Sequence, residues 1–177
     1  RNGSSAAAFS DDGVNWTATT LPISANWVSV ISNLEGRFVA IASDSTTVAV
    51  SNDGIVWDLQ GTLNATGFVD VKYGRGVYVA IKSGTTNAVE YSTDGGITWT
   101  QSDFNTNATW RSIAYGNNLF VAVAADSNTG QISEDGETWL DVDLGSPDSN
   151  DPAGYQNIEY GQGLFMATAR LSGQTGY

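Results

Sequence analysis

The feature that most constrains the fold of this chain is an internal repeat. Four segments with one pattern, FSDDGVNW, VSNDGIVW, YSTDGGITW and ISEDGETW, carry their leading serines 41 residues apart. A second motif alternates with the first; its copies end in Val-Ala or Met-Ala and begin at Trp27, Phe68, Trp110 and Tyr155. Two signatures that alternate at one period predict a repeat architecture in which each unit is one small supersecondary element.

Each copy of the first motif places a serine, an aspartate, a glycine and a tryptophan at equivalent positions. These residues are Ser10, Asp12, Gly13, Trp16, Ser51, Asp53, Gly54, Trp57, Ser92, Asp94, Gly96, Trp99, Ser133, Asp135, Gly136 and Trp139. The serine and aspartate oxygens are short enough to bond the turn's own backbone, and glycine supplies a positive φ. The tryptophan carries a large apolar surface back beneath the hairpin. We interpret the motif as a structural turn with a buried indole, in preference to a catalytic cluster.

The segments between these turns predict strands. Apolar and aromatic residues come in runs of about five to seven, bounded by glycine, asparagine and aspartate. In one unit, residues 110–115 predict a strand a, 119–124 a strand b, a run that ends at Ile132 a strand c, and residues from about 138 a strand d. No segment has a sustained 3.6-residue apolar period, so helix should be nearly absent.

Four short strands in each unit of about 41 residues predict an all-β fold, a β-propeller of four-stranded antiparallel blades. The whole chain, residues 1–177, is then a single propeller region. Its predicted units are a partial blade at 1–26, blades at 27–67, 68–109 and 110–154, and a partial blade at 155–177.

One turn carries a family resemblance. STDGGITW resembles the Asp-box pattern Ser-x-Asp-x-Gly-x-Thr-Trp of bacterial neuraminidase repeats, with Ser92, Asp94, Gly96, Thr98 and Trp99 at the matching positions. The other three copies are one residue shorter between serine and tryptophan. The resemblance implies a β-propeller with box hairpins between third and fourth strands. Such repeats occur in sialidases, other glycosidases, photosystem assembly factors and phage or bacterial surface proteins, so they locate turns and not active sites.

The two ends of the sequence duplicate one strand position. Tyr177 occupies the position of Tyr91, directly before a box serine, while residues 5–9 already form a third strand before the first box. A closed ring of four blades would hold two candidates for a single strand c. We therefore expect an arc of a larger propeller; the alternative is a complete four-blade ring with one end displaced, which leaves an edge strand unpaired.

Composition excludes several classes of function. The chain has no cysteine, which removes disulfides and thiolate chemistry, and no histidine, which removes the usual general base and the serine–histidine triad. A formal net charge of -12 disfavours nucleic acid and anionic membranes as partners. No apolar run approaches the roughly 20 residues of a membrane span. No cofactor is expected.

The charged residues offer two candidate kinds of site. A sialidase needs three converging arginines, whereas Arg37 and Arg75 both fall at solvated turns between strands a and b, so this chemistry is not expected here. The acidic loop DVDLGSPDSNDP offers calcium ligands at Asp141, Asp143, Asp148 and Asp151, but it lacks the glycine and the terminal glutamate of a calcium loop. We interpret it as a soluble insertion, with calcium binding as the alternative.

The aromatic residues that open each strand a allow two interpretations. Trp27, Phe68, Trp110 and Tyr155 recur at one height of the repeat. They could stack on sugars and provide several equivalent weak sites that add through multivalency. The favoured interpretation is packing between blades.

The predicted function is non-catalytic: a recognition or structural module of an extracellular or virion surface, comparable to a phage tail-fibre or spike component. Its expected partners are a glycan, a protein receptor or neighbouring subunits of a larger assembly. Two alternatives stay open. One is part of a sialidase-like glycoside hydrolase whose catalytic residues lie outside this segment, and the other is an assembly-factor propeller.

Overall fold

The computed structural model describes residues 3–33, 35–146 and 154–169, which form antiparallel β-sheets. These residues contain no helix, as the lack of a 3.6-residue period predicted. They therefore include no helix long and apolar enough to span a membrane. The strands are β1 Ser4–Phe9, β2 Thr17–Ala25, β3 Trp27–Ser32, β4 Phe38–Ala42, β5 Thr47–Ser51, β6 Asp58–Thr62, β7 Phe68–Gly74, β8 Val77–Lys82, β9 Thr85–Ser92, β10 Thr100–Gly116, β11 Leu119–Ala124, β12 Ser127–Ser133, β13 Leu140–Asp143, β14 Tyr155–Gly161 and β15 Leu164–Ala169.

The strands pair in chain order. The β1–β2 hairpin comes first, then a four-stranded sheet β3-β4-β5-β6, a seven-stranded sheet from β7 to β13, and the β14–β15 hairpin. The seven-stranded sheet holds two units, because β10 pairs with β9 from Thr100 onward and with β11 from Trp110 onward. The sequence predicted separate strands d and a here, but they are continuous in β10. We refer to β3–β6 as the first sheet, to β7 through the start of β10 as the second, and to the end of β10 through β13 as the third.

Apolar contacts lie between successive sheets and not in one central core. Val39 and Ile41 of β4, in the first sheet, pack against Phe68 and Val71 of β7, in the second sheet. A similar cluster joins the second and third sheets, a smaller one joins the third sheet to β14–β15, and another joins β1–β2 to the first sheet. Each sheet is thus stabilised by burial on both faces, which explains the nearly continuous apolar runs of its inner strands.

Tyrosines of β10 and β14 add to the contacts between successive sheets, near the a-to-b turns. Tyr115 lies directly over Gly74 of the preceding sheet, where a Cβ would collide with the ring. Tyr160 lies over Gly116 in the same way. The Tyr115-Gly116 pair therefore gives the third sheet a ring that packs on its predecessor and a glycine that accepts the ring of its successor.

The four motif tryptophans differ in burial. Trp99 and Trp139 are 7% and 3% exposed, Trp57 is partly buried, and Trp16 is 65% exposed. The prediction of four buried indoles was therefore wrong for Trp16. The buried indoles lie between two sheets. Within the described residues, no sheet precedes β1–β2 that could cover Trp16.

Trp99→Ala should lower the free energy of unfolding by about 3–5 kcal/mol, because it removes a buried indole and leaves a cavity between the first and second sheets. Val56→Ala is the matched control; Val56 lies on an exposed turn, and its truncation should change stability by about 0.5 kcal/mol or less. Urea titration followed by circular dichroism measures both values. Equal, small losses for the two variants would contradict the packing role.

Arg75→Asn should stabilise the protein. Arg75 adopts φ 52 in the turn between β7 and β8, a left-handed conformation that Asn117 and Asn118 occupy in the equivalent turn of the third sheet. Asparagine tolerates this conformation better than arginine, so we expect a gain of about 0.5–1 kcal/mol in the free energy of unfolding. Arg75→Gln removes the same charge without relieving the backbone and should give no such gain.

Candidate functional site

The motif turns form one repeated hydrogen-bonded structure, which we call the box hairpins (residues 10–16, 51–57, 92–99 and 133–139). In the second, the Ser51 hydroxyl donates to Asp53 Oδ1 at 3.0 Å and accepts from the Gly54 amide at 2.9 Å. Asp53 Oδ1 also accepts from the Val56 amide at 2.8 Å, and the Trp57 indole donates to the Gly54 carbonyl at 3.1 Å. Equivalent bonds recur in the other three hairpins. The serine and aspartate oxygens are therefore occupied by their own turns.

These bonds lower the pKa of all four box aspartates, Asp12, Asp53, Asp94 and Asp135. The main cause is the backbone amide of Asn15 for Asp12 and that of Val56 for Asp53. Burial is the largest influence on Asp94 and Asp135 and raises the pKa, but the hydrogen bonds together outweigh it. Because these carboxylates are stabilised in the ionised form, they are poor proton donors near neutral pH.

Most of the aromatic rings considered for sugar stacking are inside the protein. Phe68 and Trp110 are fully buried, and Tyr155 is 9% exposed. The Trp110 indole donates to the Thr86 carbonyl at 2.8 Å, and Trp27 is partly buried with its indole donating to the Ile23 carbonyl at 3.3 Å. The three buried rings cannot stack on a glycan, because their faces pack between sheets.

The candidate calcium ligands are not gathered into a site in the described residues. Asp141 accepts from Gln131 and, at 3.2 Å, from the Thr106 hydroxyl, while Asp143 accepts from the Gly145 amide at 2.9 Å. Asp148 and Asp151 lie outside the described residues. Across 3–33, 35–146 and 154–169, no group of three or more acidic side chains could hold a metal ion.

Arg37 has a role that the sequence did not predict. Its guanidinium lies between two sheets and donates to the Gly95 carbonyl at 2.7 Å, to Asn52 at 3.2 Å and to Gln60 at 3.2 Å. The expectation of a solvated turn residue was wrong for this arginine. It fastens the first sheet to a box hairpin of the second, and these bonds leave it poorly placed to clamp a carboxylate ligand.

The sequence also did not predict a row of hydrogen-bonded polar side chains along the inner strands of successive sheets. Ser29, Asp70, Ser112 and Asn157 hold the same position in successive copies of the second motif. The Ser29 and Ser112 hydroxyls donate to the Asp70 carboxylate at 3.0 and 3.3 Å, and the Ser112 hydroxyl lies 2.9 Å from Asn157 Oδ1. The line ties the inner strands together from sheet to sheet. A repeat alignment reveals the shared position, but only the packing of sheets reveals the contacts.

A buried carboxylate, that of Glu90, lies between the second sheet and the segment that leads into it. Glu90 is 2% exposed and accepts from the backbone and side-chain amides of Asn64 at 3.0 to 3.1 Å. In the next unit, Gln131 holds the equivalent position and accepts from the Asn105 amide at 3.3 Å. Burial raises the pKa of Glu90, while the Asn64 bonds act against this rise. The neutral counterpart in Gln131 indicates that the position is structural.

Opposite the box hairpins, the connections between sheets and the b-to-c turns form a second rim, which we call the connection rim. Its exposed side chains are small and mostly uncharged; they are Asn26, Asp44, Asn64, Thr66, Thr85, Asn105, Asn107, Asp126 and Asn128. The backbone beneath them is held by hydrogen bonds, such as Gly67 amide to Ser43 carbonyl at 2.8 Å. Asp126 accepts from the amide and hydroxyl of Thr109 at 2.8 and 2.6 Å. The rim is therefore a fixed surface of hydrogen-bonding groups repeated from sheet to sheet.

Comparison with solved structures shows the fold. Virginiamycin B lyase from Staphylococcus aureus, a catalytically inactive variant with quinupristin, shares 15% identity with a TM-score of 0.75 over 93% of this chain and 56% of its own. YCF48 from Cyanidioschyzon merolae shares 16% identity with a TM-score of 0.65 over 93% and 60%. The computationally designed Ika4 protein shares 15% identity with a TM-score of 0.59 over 86% and 91%. These likenesses show an all-β, β-propeller-like fold.

The likeness does not extend to sequence. No family model matches this chain, and no curated protein matches it. The chain spans little more than half the length of the lyase and of YCF48. The similar structures include an enzyme, the lyase, at low identity. The comparison therefore shows the fold of this chain and not its chemistry.

Glu90→Gln should change how stability depends on pH. The folded state raises the pKa of Glu90 above its unfolded value of about 4.3, so the folded state binds this proton more tightly. Ionisation of the buried Glu90 lowers the free energy of unfolding. This loss is absent well below a pH of about 4.3, develops as the pH rises through the folded pKa, and remains at neutral pH. The glutamine variant lacks this cost.

Unfolding free energies should therefore shift in favour of Glu90→Gln between acidic and neutral pH, as measured by urea titration at each pH. Glu134→Gln, which changes an exposed carboxylate on a box hairpin, is the control and should follow the parent protein. Parallel pH profiles for the parent and Glu90→Gln would contradict the assignment of a raised pKa.

Proposed function

We propose that this chain is a non-catalytic recognition module of an extracellular or virion surface, and that its connection rim binds the partner. The observation that supports this proposal most strongly is the uneven placement of polar groups. Acidic residues crowd the box hairpins, where Asp11, Asp12, Asp53, Asp94, Glu134, Asp135 and Glu137 lie. The connection rim carries mainly asparagine and threonine, which offer hydrogen bonds to a ligand without a net charge of their own.

The partner that suits this rim is a neutral glycan. Amide and hydroxyl side chains both donate and accept, which matches the hydroxyl groups of a sugar. The described connections at residues 26, 64–67 and 105–109 each carry exposed asparagine or threonine side chains. Each connection then offers one weak site, and a branched or repeating glycan gains affinity by occupying several at once.

The contacts of the acidic side chains support a function without catalysis. The box carboxylates are held ionised by their own turns, Glu90 is buried against Asn64, and Asp70 is bonded within the inner strands. The lyase variant described as inactive has a histidine replaced by alanine, and this chain contains no histidine at all. The resemblance to the lyase therefore carries no argument for its reaction.

A second candidate function is the binding of a peptide. One structure similar to this chain, at 18% identity and a TM-score of 0.64, is YCF48 bound to D1 peptide. This observation supports a peptide or protein partner as the second candidate, and it agrees with the assembly-factor alternative raised by the sequence. The two candidates differ in ligand and are separated by one set of binding measurements.

Glycan-array binding of the chain tests the proposal, with Thr66→Ala/Thr85→Ala/Asn107→Ala as the rim variant. These three side chains are exposed on the connection rim, and their truncation should leave the fold intact. We expect the parent to bind a glycan and the rim variant to lose at least about tenfold in affinity. Thr138→Ala, on the opposite rim, should bind like the parent.

Three results would contradict this assignment. Glycan binding that survives in the rim variant would place the site elsewhere on the protein. Binding to a peptide array in the absence of glycan binding would favour the second candidate, and release of sugar by the chain would overturn the non-catalytic part of the proposal.

A further inference from the structure

A cavity of about 130 Å³ lies at the second box hairpin, where strand β5 ends and strand β6 begins. Val50 contributes to its wall and packs into the cluster between the first and second sheets. The other residues used below are exposed, so the cavity opens to solvent; they are Asn52, Asp53, Val56, Asp58 and Gln60. We call this site the hairpin cavity.

The hairpin cavity is lined by negative charge without a balancing ion pair. Asp53 and Asp58 contribute two carboxylates. In the described part of the chain, neither carboxylate forms a salt bridge. Arg37 is the nearby cation, and its guanidinium donates to the side-chain oxygens of Asn52 and Gln60 at 3.2 Å each. One guanidinium beside two carboxylates leaves the cavity with an excess of negative charge and of hydrogen-bond acceptors.

Asp53 lacks a bond that two other box aspartates have. Its own bonds within the turn all use Oδ1. In the first hairpin the Asn15 side chain donates to Oδ2 of the box aspartate at 2.7 Å, and in the third the Thr98 hydroxyl does so at 2.5 Å. The fourth hairpin has Thr138 at this position, directly before the tryptophan. The second hairpin has Val56, whose side chain cannot donate, so Asp53 Oδ2 is left for another donor.

Apolar side chains are exposed beside these carboxylates. Val56 is 64% exposed on the second hairpin, and Ile97 is 42% exposed on the third. The third hairpin lies against β6, because a Cβ on Gly61 would collide with the Gly96 carbonyl. The two apolar side chains therefore belong to neighbouring hairpins of one fixed surface, with the hairpin cavity in the second of them.

Charge complementarity identifies the kind of partner. The box hairpins at 51–57, 92–99 and 133–139 contain five acidic residues and no lysine or arginine; the acidic residues are Asp53, Asp94, Glu134, Asp135 and Glu137. Such a surface attracts cations and repels nucleic acid and anionic lipid. A lysine or arginine side chain suits the hairpin cavity, because its charged head bonds carboxylates while its aliphatic stem covers an apolar neighbour.

We propose that the hairpin cavity binds a lysine or arginine side chain of a partner protein, in a basic segment whose neighbouring apolar side chains pack on Val56 and Ile97. The charged head donates to Asp53 Oδ2 and to the Asp58 carboxylate, and its stem lies along Val56. The connection rim is on the opposite side of the protein. The chain can therefore hold a protein partner at the box hairpins while the connection rim binds its own ligand.

NMR titration of the isotope-labelled chain tests the site directly. The probe is a short capped peptide of alternating leucine and lysine. We expect its addition to shift the backbone amide signals of Asp53, Val56, Asp58 and Ile97, and added salt to weaken the binding because the carboxylates are exposed. Matched peptides of alternating leucine and glutamate, or of alternating serine and lysine, should bind far less.

The position of the shifts separates this site from general attraction to an acidic protein. The fourth hairpin carries three acidic residues, Glu134, Asp135 and Glu137, whereas the second carries only Asp53. Shifts as large at the fourth hairpin as at the second would overturn the proposal, because charge alone would explain them. Shifts at Thr66 and Asn107 instead would overturn it in favour of a peptide site on the connection rim. No shifts at millimolar peptide would overturn it as well.

The double variant Val56→Thr/Asp58→Asn tests the chemistry of the cavity. The new threonine supplies the hydroxyl that bonds the aspartate in the third hairpin, so it occupies Asp53 Oδ2 within the turn. Asp58→Asn removes the second carboxylate from an exposed position. We expect the dissociation constant of the leucine-lysine peptide to rise at least about fivefold, with an unchanged urea midpoint.

Glu137→Gln is the matched control, since it removes one exposed carboxylate from the fourth hairpin. It should bind the leucine-lysine peptide like the parent protein. Equal losses of affinity in Glu137→Gln and in the double variant would overturn the assignment to the hairpin cavity.

Discussion

The contact between successive sheets is the interaction on which this structure depends. Each sheet is apolar on both faces, and neither face can remain in water without cost, so a sheet is stable only between two neighbours. The burial of equivalent residues shows this directly. Val39 and Val79 are fully buried where a sheet follows, whereas Met166 at the same position is mostly exposed. Stability is therefore shared along the array and depends on how many faces are covered.

Local and non-local forces act separately in the box hairpins. The first hairpin forms its Ser10, Asp12 and Gly13 bonds although Trp16 is exposed. The turn is thus satisfied by its own side chains, while the burial of the indole is supplied by the sheet beside it. This separation explains why one motif can occur at both covered and uncovered positions of the array without a change of conformation.

The same separation decides how much the sequence could predict. Strands, turns and the absence of helix follow from short apolar runs, from the turn residues that bound them and from the lack of a 3.6-residue period, and these are local signals. The two-residue turns at Arg75 and Asn117 are local as well. Contacts between sheets are not: Asp70 accepts bonds from Ser29 and Ser112, each about 41 residues away, and nothing in the local pattern of Asp70 distinguishes it from a solvated residue. The exposure of Trp16 was missed for this reason, since its local sequence is that of a buried box.

The two rims of the protein differ in how their side chains contribute to the contacts between sheets. At the rim of the box hairpins, Arg37 bonds the first sheet to the second, so its substitution acts on the fold. The connection rim is held mainly through backbone bonds, such as Gly67 to Ser43, and exposed side chains such as Thr66 and Asn107 make no contact on which the sheets depend. Exposed side chains such as Thr66 and Asn107 can therefore change with the ligand while the sheets are kept, whereas Asn64 and Asp126 bond Glu90 and Thr109 and belong to the structure.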